Sequence, residues 1–214
     1  MSAKNILILG GTGGTGRLVV SQALQQGHAV TVLVRDPARL SIASNRARVI
    51  VGSVTDDAAE LAQATRDQDV VISALGVGNS LKSGGLIEHS IPAIVRAMER
   101  QGVRRLIFTS AFGVRQTYRD VPLVPRVFIR TLLRDLYADK GRGEDELRRV
   151  GNGLDWTLVY PVTLTNGPRT GRYRAGERLA LHGLPRISRA DVADFLLTQV
   201  DDMSYLRKGV LVSS

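Results

Sequence analysis

Five of the seven residues Gly10-Gly11-Thr12-Gly13-Gly14-Thr15-Gly16 are glycine, and the run directly follows a short apolar stretch, Asn5–Leu9. Glycine costs about 0.5–1 kcal/mol in regular structure, so such a cluster marks backbone that must turn sharply or be approached closely. Gly10, Gly13 and Gly16 are spaced G-x-x-G-x-x-G. In a strand–turn–helix unit the first permits the turn, the second admits an anionic group against the backbone, and the third lets the helix pack hard on the strand.

The rest of the chain repeats that unit. Apolar runs at Asn5–Leu9, Ala29–Val34, Arg48–Val51, Val70–Ala74, Arg105–Thr109 and Trp156–Tyr160 read as strands, several nearly continuous in Val, Ile and Leu as in sheets covered on both faces. Helical patterns at Thr15–Gln26, Asp57–Thr65, Gly85–Gln101 and Asp139–Val150 separate them. Gly27, Gly102 and Gly151 stand where a helix end favours a left-handed glycine. The alternation predicts an α/β fold: a doubly wound parallel sheet (a Rossmann fold) with helices on both faces and right-handed crossovers. Residues 1–214 read as one domain, with strand order 3-2-1-4-5-6 and a ligand crevice at the carboxyl ends of the strands. The Gly-, Pro- and Arg-rich segment Thr163–Pro185 breaks the pattern and reads as a substrate-side loop with one short hairpin. Ser188-Arg-Ala-Asp191 reads as a capping box opening a helix over Val192–Val200, and Gly209–Ser213 as a last strand.

Composition narrows the function. The 214 residues include no cysteine, which removes disulfides, thiolate catalysis and Cys-based metal sites. The three histidines, His28, His89 and His182, have no metal-ligand spacing, so no metal is expected. No apolar run reaches the length of a signal peptide core or membrane span, so the expectation is a cytoplasmic protein without a membrane partner. The formal charge of +9 favours anionic partners. Aromatic residues are few and not interleaved with the basic ones, which argues against nucleic acid. A monomer or weak homodimer is expected.

The glycine turn, opening a helix whose first N–H groups lack partners, predicts dinucleotide binding, with hydroxyls from Thr12 and Thr15 as further donors. The second strand ends in Arg35 where NAD-selective sites place a carboxylate. A guanidinium there suits a ribose 2′-phosphate, and Arg39 reaches the same anion if its segment is helical. Asp36 before Pro37 fits a helix cap instead. NADP(H) is therefore the expected cofactor.

Five stretches carry a family resemblance: Ile8-Leu-Gly-Gly-Thr-Gly-Gly-Thr-Gly16, Val30-Thr-Val-Leu-Val-Arg-Asp36, Thr109-Ser-Ala-Phe112, Leu154-Asp-Trp-Thr-Leu-Val-Tyr-Pro161, and Gly167-Pro-Arg-Thr-Gly171 with Tyr173. Together they resemble the atypical short-chain dehydrogenase/reductases of the biliverdin-IXβ reductase/flavin reductase type, in the wider NmrA-like group. The resemblance implies an NADPH-dependent reductase of a small anionic conjugated substrate: a flavin such as FMN, a linear tetrapyrrole such as biliverdin, or a quinone. It implies that Gly10, Thr12, Gly13, Gly14, Thr15, Gly16, Arg35 and Arg39 hold the phosphates, and that Ser53 and Val54 adjoin the adenine. It also implies that Leu75, Gly76, Thr109, Pro161 and Val162 line the cofactor. Ser110, at the end of the fifth strand, is placed near the nicotinamide. Ser53 stands where the family often has aspartate, and Lys140 and Thr163 where the biliverdin reductase has histidines.

The Tyr-x-x-x-Lys pair of ordinary short-chain dehydrogenases is missing; Tyr137 and Lys140 are three apart. Ser110 and Lys140 are the candidate catalytic residues, Lys140 as a contact for the nicotinamide ribose or an anionic substrate. The missing pair leaves open a second function, a non-catalytic NADP(H)-binding redox sensor acting through a protein partner. Nucleotide-sugar epimerisation is disfavoured because the chain is short.

Overall fold

The computed structural model describes residues 2–40, 46–78 and 80–214. The apolar runs form strands β1 (Asn5–Leu9), β2 (Ala29–Val34), β3 (Arg48–Val51), β4 (Val70–Ser73), β5 (Arg105–Thr109) and β6 (Asp155–Pro161). Their parallel order β3-β2-β1-β4-β5-β6 is the one expected, and β10 (Lys208–Ser213) extends it beyond β6. The strand β8 (Arg174–Gly176) pairs antiparallel with β10 and closes that edge. Side chains of β1, β4 and β5 are buried throughout except at Asn5, as strands covered on both faces must be.

Helices α1 (Gly16–Gln25) and α6 (Arg189–Thr198) share one face, where Gln22 Nε2 donates to Ala190 O at 2.9 Å. Helices α2 (Ala58–Thr65), α3 (Leu86–Gln101) and α5 (Arg134–Val150) pack in series on the other. The step from β1 to β2 runs toward the β3 edge and the step from β6 to β10 toward the β8 edge, yet both connecting helices lie on the same face. The two crossovers therefore have opposite hands, and the expectation of right-handed crossovers fails for the last unit. That unit differs from the others in its long connection, which places β7, β8 and β9 between β6 and α6.

That connection does not hold the short hairpin expected of it: none of its strands pairs antiparallel with another strand of the segment. Its strand β7 (Thr163–Thr165) pairs in parallel with β9 (Arg186–Ser188), while β8 joins the main sheet. The Ser188 cap is present, its side chain accepting from Asp191 N. Asp36 caps a single 3-10 turn, Pro37–Arg39, through Ala38 N at 3.0 Å.

Between β5 and α5 lies a helix the sequence did not announce, α4 (Leu123–Arg130). The helix α5 starts five residues before the expected Asp139 and runs through Gly141 and Gly143. Gly143 is where α5 meets α3: a Cβ there would stand 2.5 Å from Ile87 Cγ2. The N-terminus of α3 is capped by Gly85, which has no side chain, so the Asp139 carboxylate of α5 accepts from Ile87 N and Glu88 N, both at 3.0 Å. Gly27 and Gly102 are left-handed as expected. Gly151 is not (φ −86°), because the chain continues into a 3-10 turn, Gly151–Gly153. No helix among the described residues is long and apolar enough to cross a membrane.

Candidate functional site

Gly10 turns the chain at φ +82°, and a Cβ there would lie 2.5 Å from Ala74 O at the end of β4. A Cβ on Gly16 would collide with Gly10 O. Gly13 N donates back to Gly10 O at 2.9 Å, which folds the loop into a cradle. The N–H groups of Thr12, Gly14 and Thr15 have no backbone acceptor among the described residues and sit at the N-terminus of α1. A glycine cradle with free donors at a helix start is the feature a pyrophosphate requires, and these residues fit one.

The cradle opens into a cleft of about 840 Å³ at the carboxyl ends of β1, β4, β5 and β6. Of the residues expected to bind the cofactor, Gly13, Gly14, Thr15, Leu75, Gly76, Thr109, Pro161 and Val162 line it, together with Ser110 and Lys140. Gly10 and Gly16 shape the turn from behind. Arg35, Arg39, Ser53 and Val54 lie outside the cleft, at the ends of β2 and β3. Arg35 and Arg39 are exposed, whereas Val54 is packed into the core. The Ser53 hydroxyl donates to Asp56 at 2.7 Å. Hydrogen bonds from Ser53 and Thr55 hold the Asp56 carboxyl below its usual range, and the charge of Arg35 adds to this.

The other end of the cleft is built differently. Ser110 is buried; its N–H donates to Val159 O at 2.8 Å and its hydroxyl to Glu144 Oε1 at 2.5 Å. Glu144 is fully buried on α5 and accepts a second bond at Oε2 from the Tyr160 hydroxyl at 2.8 Å, with Arg148 Nη1 at 3.4 Å. Burial pushes the Glu144 carboxyl above the ordinary range, against the three donors that favour its charge. One turn earlier, Lys140 Nζ lies 3.5 Å from Thr109 O. Desolvation lowers its ammonium below the usual lysine range, and Glu144 and Asp139 partly restore it. Tyr137 lines the cleft on the same helix face, with its phenol pushed up by burial.

Sequence reasoning missed Glu144 and Arg189. Glu144 follows Lys140 by four residues, a spacing that places both on one helix face, but its partner Ser110 is 34 positions away. The Arg189 side chain lies against Gly14 and donates from Nη1 to Asn166 Oδ1 at 2.7 Å, which sets a cation beside the glycine turn.

Most of the segment Thr163–Pro185 lies away from the cleft, which it borders only through Thr163, Leu164, Leu184 and Pro185. Asp191 accepts from Thr170 N at 2.7 Å and Gly171 N at 2.9 Å, and Arg169 pairs with Asp194 at 2.7 Å. None of the loop's arginines reaches the cleft.

A family model described as NAD(P)H-binding matches residues 10–203. Among curated proteins, the chain is 31% identical over 207 residues to the photosystem II assembly factor Ycf39 of Synechocystis, covering 95% of this chain and 60% of that protein. It is 32% identical over 241 residues to the bifunctional pinoresinol-lariciresinol reductase 3 of Thuja plicata, covering 98% of this chain and 69% of that one. The chain thus spans about 60–70% of these relatives. Among solved structures, ChuY, an anaerobilin reductase from Escherichia coli, superposes with a TM-score of 0.79 at 20% identity, covering 97% of this chain and 96% of that one. A short-chain dehydrogenase/reductase from Veillonella parvula in complex with NADP gives 0.76 at 22%, covering 100% and 95%. The two structures share the fold.

Proposed function

The chain belongs to the NAD(P)H-binding family, and on that premise we propose that it is an NADPH-dependent reductase passing hydride to a conjugated acceptor: a flavin such as FMN, a linear tetrapyrrole such as biliverdin, or a quinone. The observation that carries this reading is one continuous cleft from the glycine cradle to Ser110 and Lys140, walled further out by Phe112, Phe128, Leu136 and Leu184. Apolar walls with a few convergent polar groups suit a flat conjugated body. Arg35 supports NADP(H) over NAD(H), as does the NADP held by the Veillonella parvula neighbour.

NADPH supplies the hydride when bound, and the protein's task is to hold, orient and exclude water. Gly10–Gly16 and Arg189 hold the phosphates. Ser110 gives its one proton to Glu144, so it turns lone pairs toward the cleft, and Glu144 acts as a positioning residue. Lys140 is the cation at the Ser110 end of the cleft that can donate to the reduced heteroatom of the acceptor or bind its anionic group.

A second reading, an NADP(H)-binding redox sensor, has one observation in its favour. Leu123, Val127, Phe128 and Leu132 stand exposed on and just after α4, beside the cleft mouth, as a partner-facing surface would. The similarity to an assembly factor agrees with it.

The test follows NADPH absorbance with FMN, riboflavin, biliverdin and a quinone. Turnover well above background with at least one acceptor is expected. Measurable NADPH binding without turnover on any of them would replace the reductase with the sensor.

A further inference from the structure

A second pocket, open to solvent, of about 1240 Å³ and with exposed arginines, lies on the far side of Tyr137 and Ile129, the two residues that line both spaces. Three distant chain segments build it: residues 113–120 after β5, the stretch from α4 into α5, and residues 178–180 after β8. Its lining holds five guanidinium groups, Arg115, Arg119, Arg130, Arg134 and Arg178, against one carboxylate, Asp120. Arg115 is committed, paired with Asp145 and donating from Nε to Gly141 O at 3.2 Å. Its backbone is held at φ +43°, a left-handed conformation rare for a side chain of this kind. Arg119, Arg130, Arg134 and Arg178 make no salt bridge among the described residues. Arg130 is steadied instead by the face of Tyr118, 5.8 Å from the ring centre.

Gathering like charges around one hollow destabilises the empty fold by self-repulsion, and an anion inside reverses the sign of that term. Guanidinium forks match phosphate and carboxylate oxygens two at a time. The cofactor cleft already has its own cations in Lys140 and Arg189, so the pocket is not needed to hold the cofactor. We propose that this pocket is a binding site for a small multivalent anion, a molecule carrying two or more phosphate or carboxylate groups, separate from the cofactor cleft. The site stands whether or not the chain is a reductase.

The test is isothermal titration of the full chain at about 0.15 M salt, where exposed charges are screened beyond roughly 8 Å. Saturating NADPH is present so that the glycine cradle is filled. Inorganic pyrophosphate and citrate are the two probes: binding of the first alone identifies phosphate, of the second alone carboxylate. One-to-one binding is expected, weakened at least about tenfold in the double variant Arg130→Ser/Arg134→Ser with NADPH affinity unchanged. Arg178→Ser, on a loop, is the second variant and gives the same direction if the first does not fold. Neither anion binding, or equal affinity in variant and wild type, overturns the proposal. So does a mixed-sequence DNA duplex that binds through these arginines while neither small anion does. Failure of NADPH itself to bind would sink the reductase reading but leave the comparison of variant with wild type intact.

Discussion

Two carboxylates mark the two ends of the cofactor region, and their environments are opposite. Asp56 is exposed beside Arg35, held below its ordinary range by hydroxyl donors. Glu144 is fully buried under Ser110, pushed above its ordinary range by desolvation although it too receives hydroxyl donors. The same chemical group is cheap to ionise at one end and costly at the other. Around Asp56 the cations Arg35 and Arg39 make no salt bridge or side-chain hydrogen bond among the described residues, so each can be exchanged without disturbing the core. Around Glu144 the side chains of Ser110, Tyr160 and Arg148 all converge on one carboxylate, so a change there is also a change in folding. On the proposed function, cofactor choice falls where substitution is cheap and the reacting end where it is not.

The largest effect should follow from removing the buried carboxylate. Glu144→Ala leaves Tyr160, Ser110 and Arg148 without their shared acceptor, and should cost about 3 kcal/mol of unfolding free energy in urea. A loss below about 1 kcal/mol would mean that water replaces the carboxylate, and the contrast between the two ends would weaken. The pH dependence sharpens the same point. Glu144 has a higher pKa folded than unfolded, so the folded chain binds more protons in the interval between them. Its contribution is fully present below the unfolded value, about 4.3, and is lost as pH rises through the folded value. The wild type minus Glu144→Gln difference in stability should therefore fall with rising pH, while the exposed carboxylates cancel in the subtraction. A flat difference would break the assignment.

Arg35→Ala should come next. One charge-assisted contact to a 2′-phosphate is worth about 1.5 kcal/mol, or roughly a tenfold rise in KM for NADPH. The KM for NADH and kcat should hold, since this contact is equally present in ground and transition states. A matching fall in kcat would show that the two ends are coupled.

The two ends also differ in how far the sequence discloses them. The strands β1 to β6 and the glycine turn were legible because each is set locally, by continuous Val, Ile and Leu and by G-x-x-G-x-x-G. The cap of Asp36 on Pro37–Arg39 was legible for the same reason. The Ser110–Glu144–Tyr160 cluster was not, because it joins β5, α5 and β6, and only packing brings those together. The helix expected over Asp139–Val150 runs through Gly141 and Gly143 and starts earlier, at Arg134, and the bare Gly143 lets α3 approach. The three-residue strands β7 and β9 escaped because they pair across the 20 intervening residues 166–185 rather than with a neighbour. The arginines of Thr163–Pro185 read as a ligand-facing set, yet Asp194 takes Arg169 and the strap is pinned by Asp191.

Asp56→Asn should give the smallest effect and the most telling one. Asp56 competes with an incoming phosphate for the field of Arg35, so its neutralisation should tighten NADPH binding, by about twofold at low salt. The gain should fade as salt shortens the screening length, because both groups are in water. Stability should change little, since Ser53 and Thr55 can turn to solvent when the carboxylate is gone. Glu144→Gln removes the same formal charge, but its consequence should be insensitive to salt, because the buried cluster excludes the ions that screen Asp56. Equal salt dependence at the two positions would show that Glu144 is reached by solvent, and would erase the distinction between an exchangeable end and a fixed one.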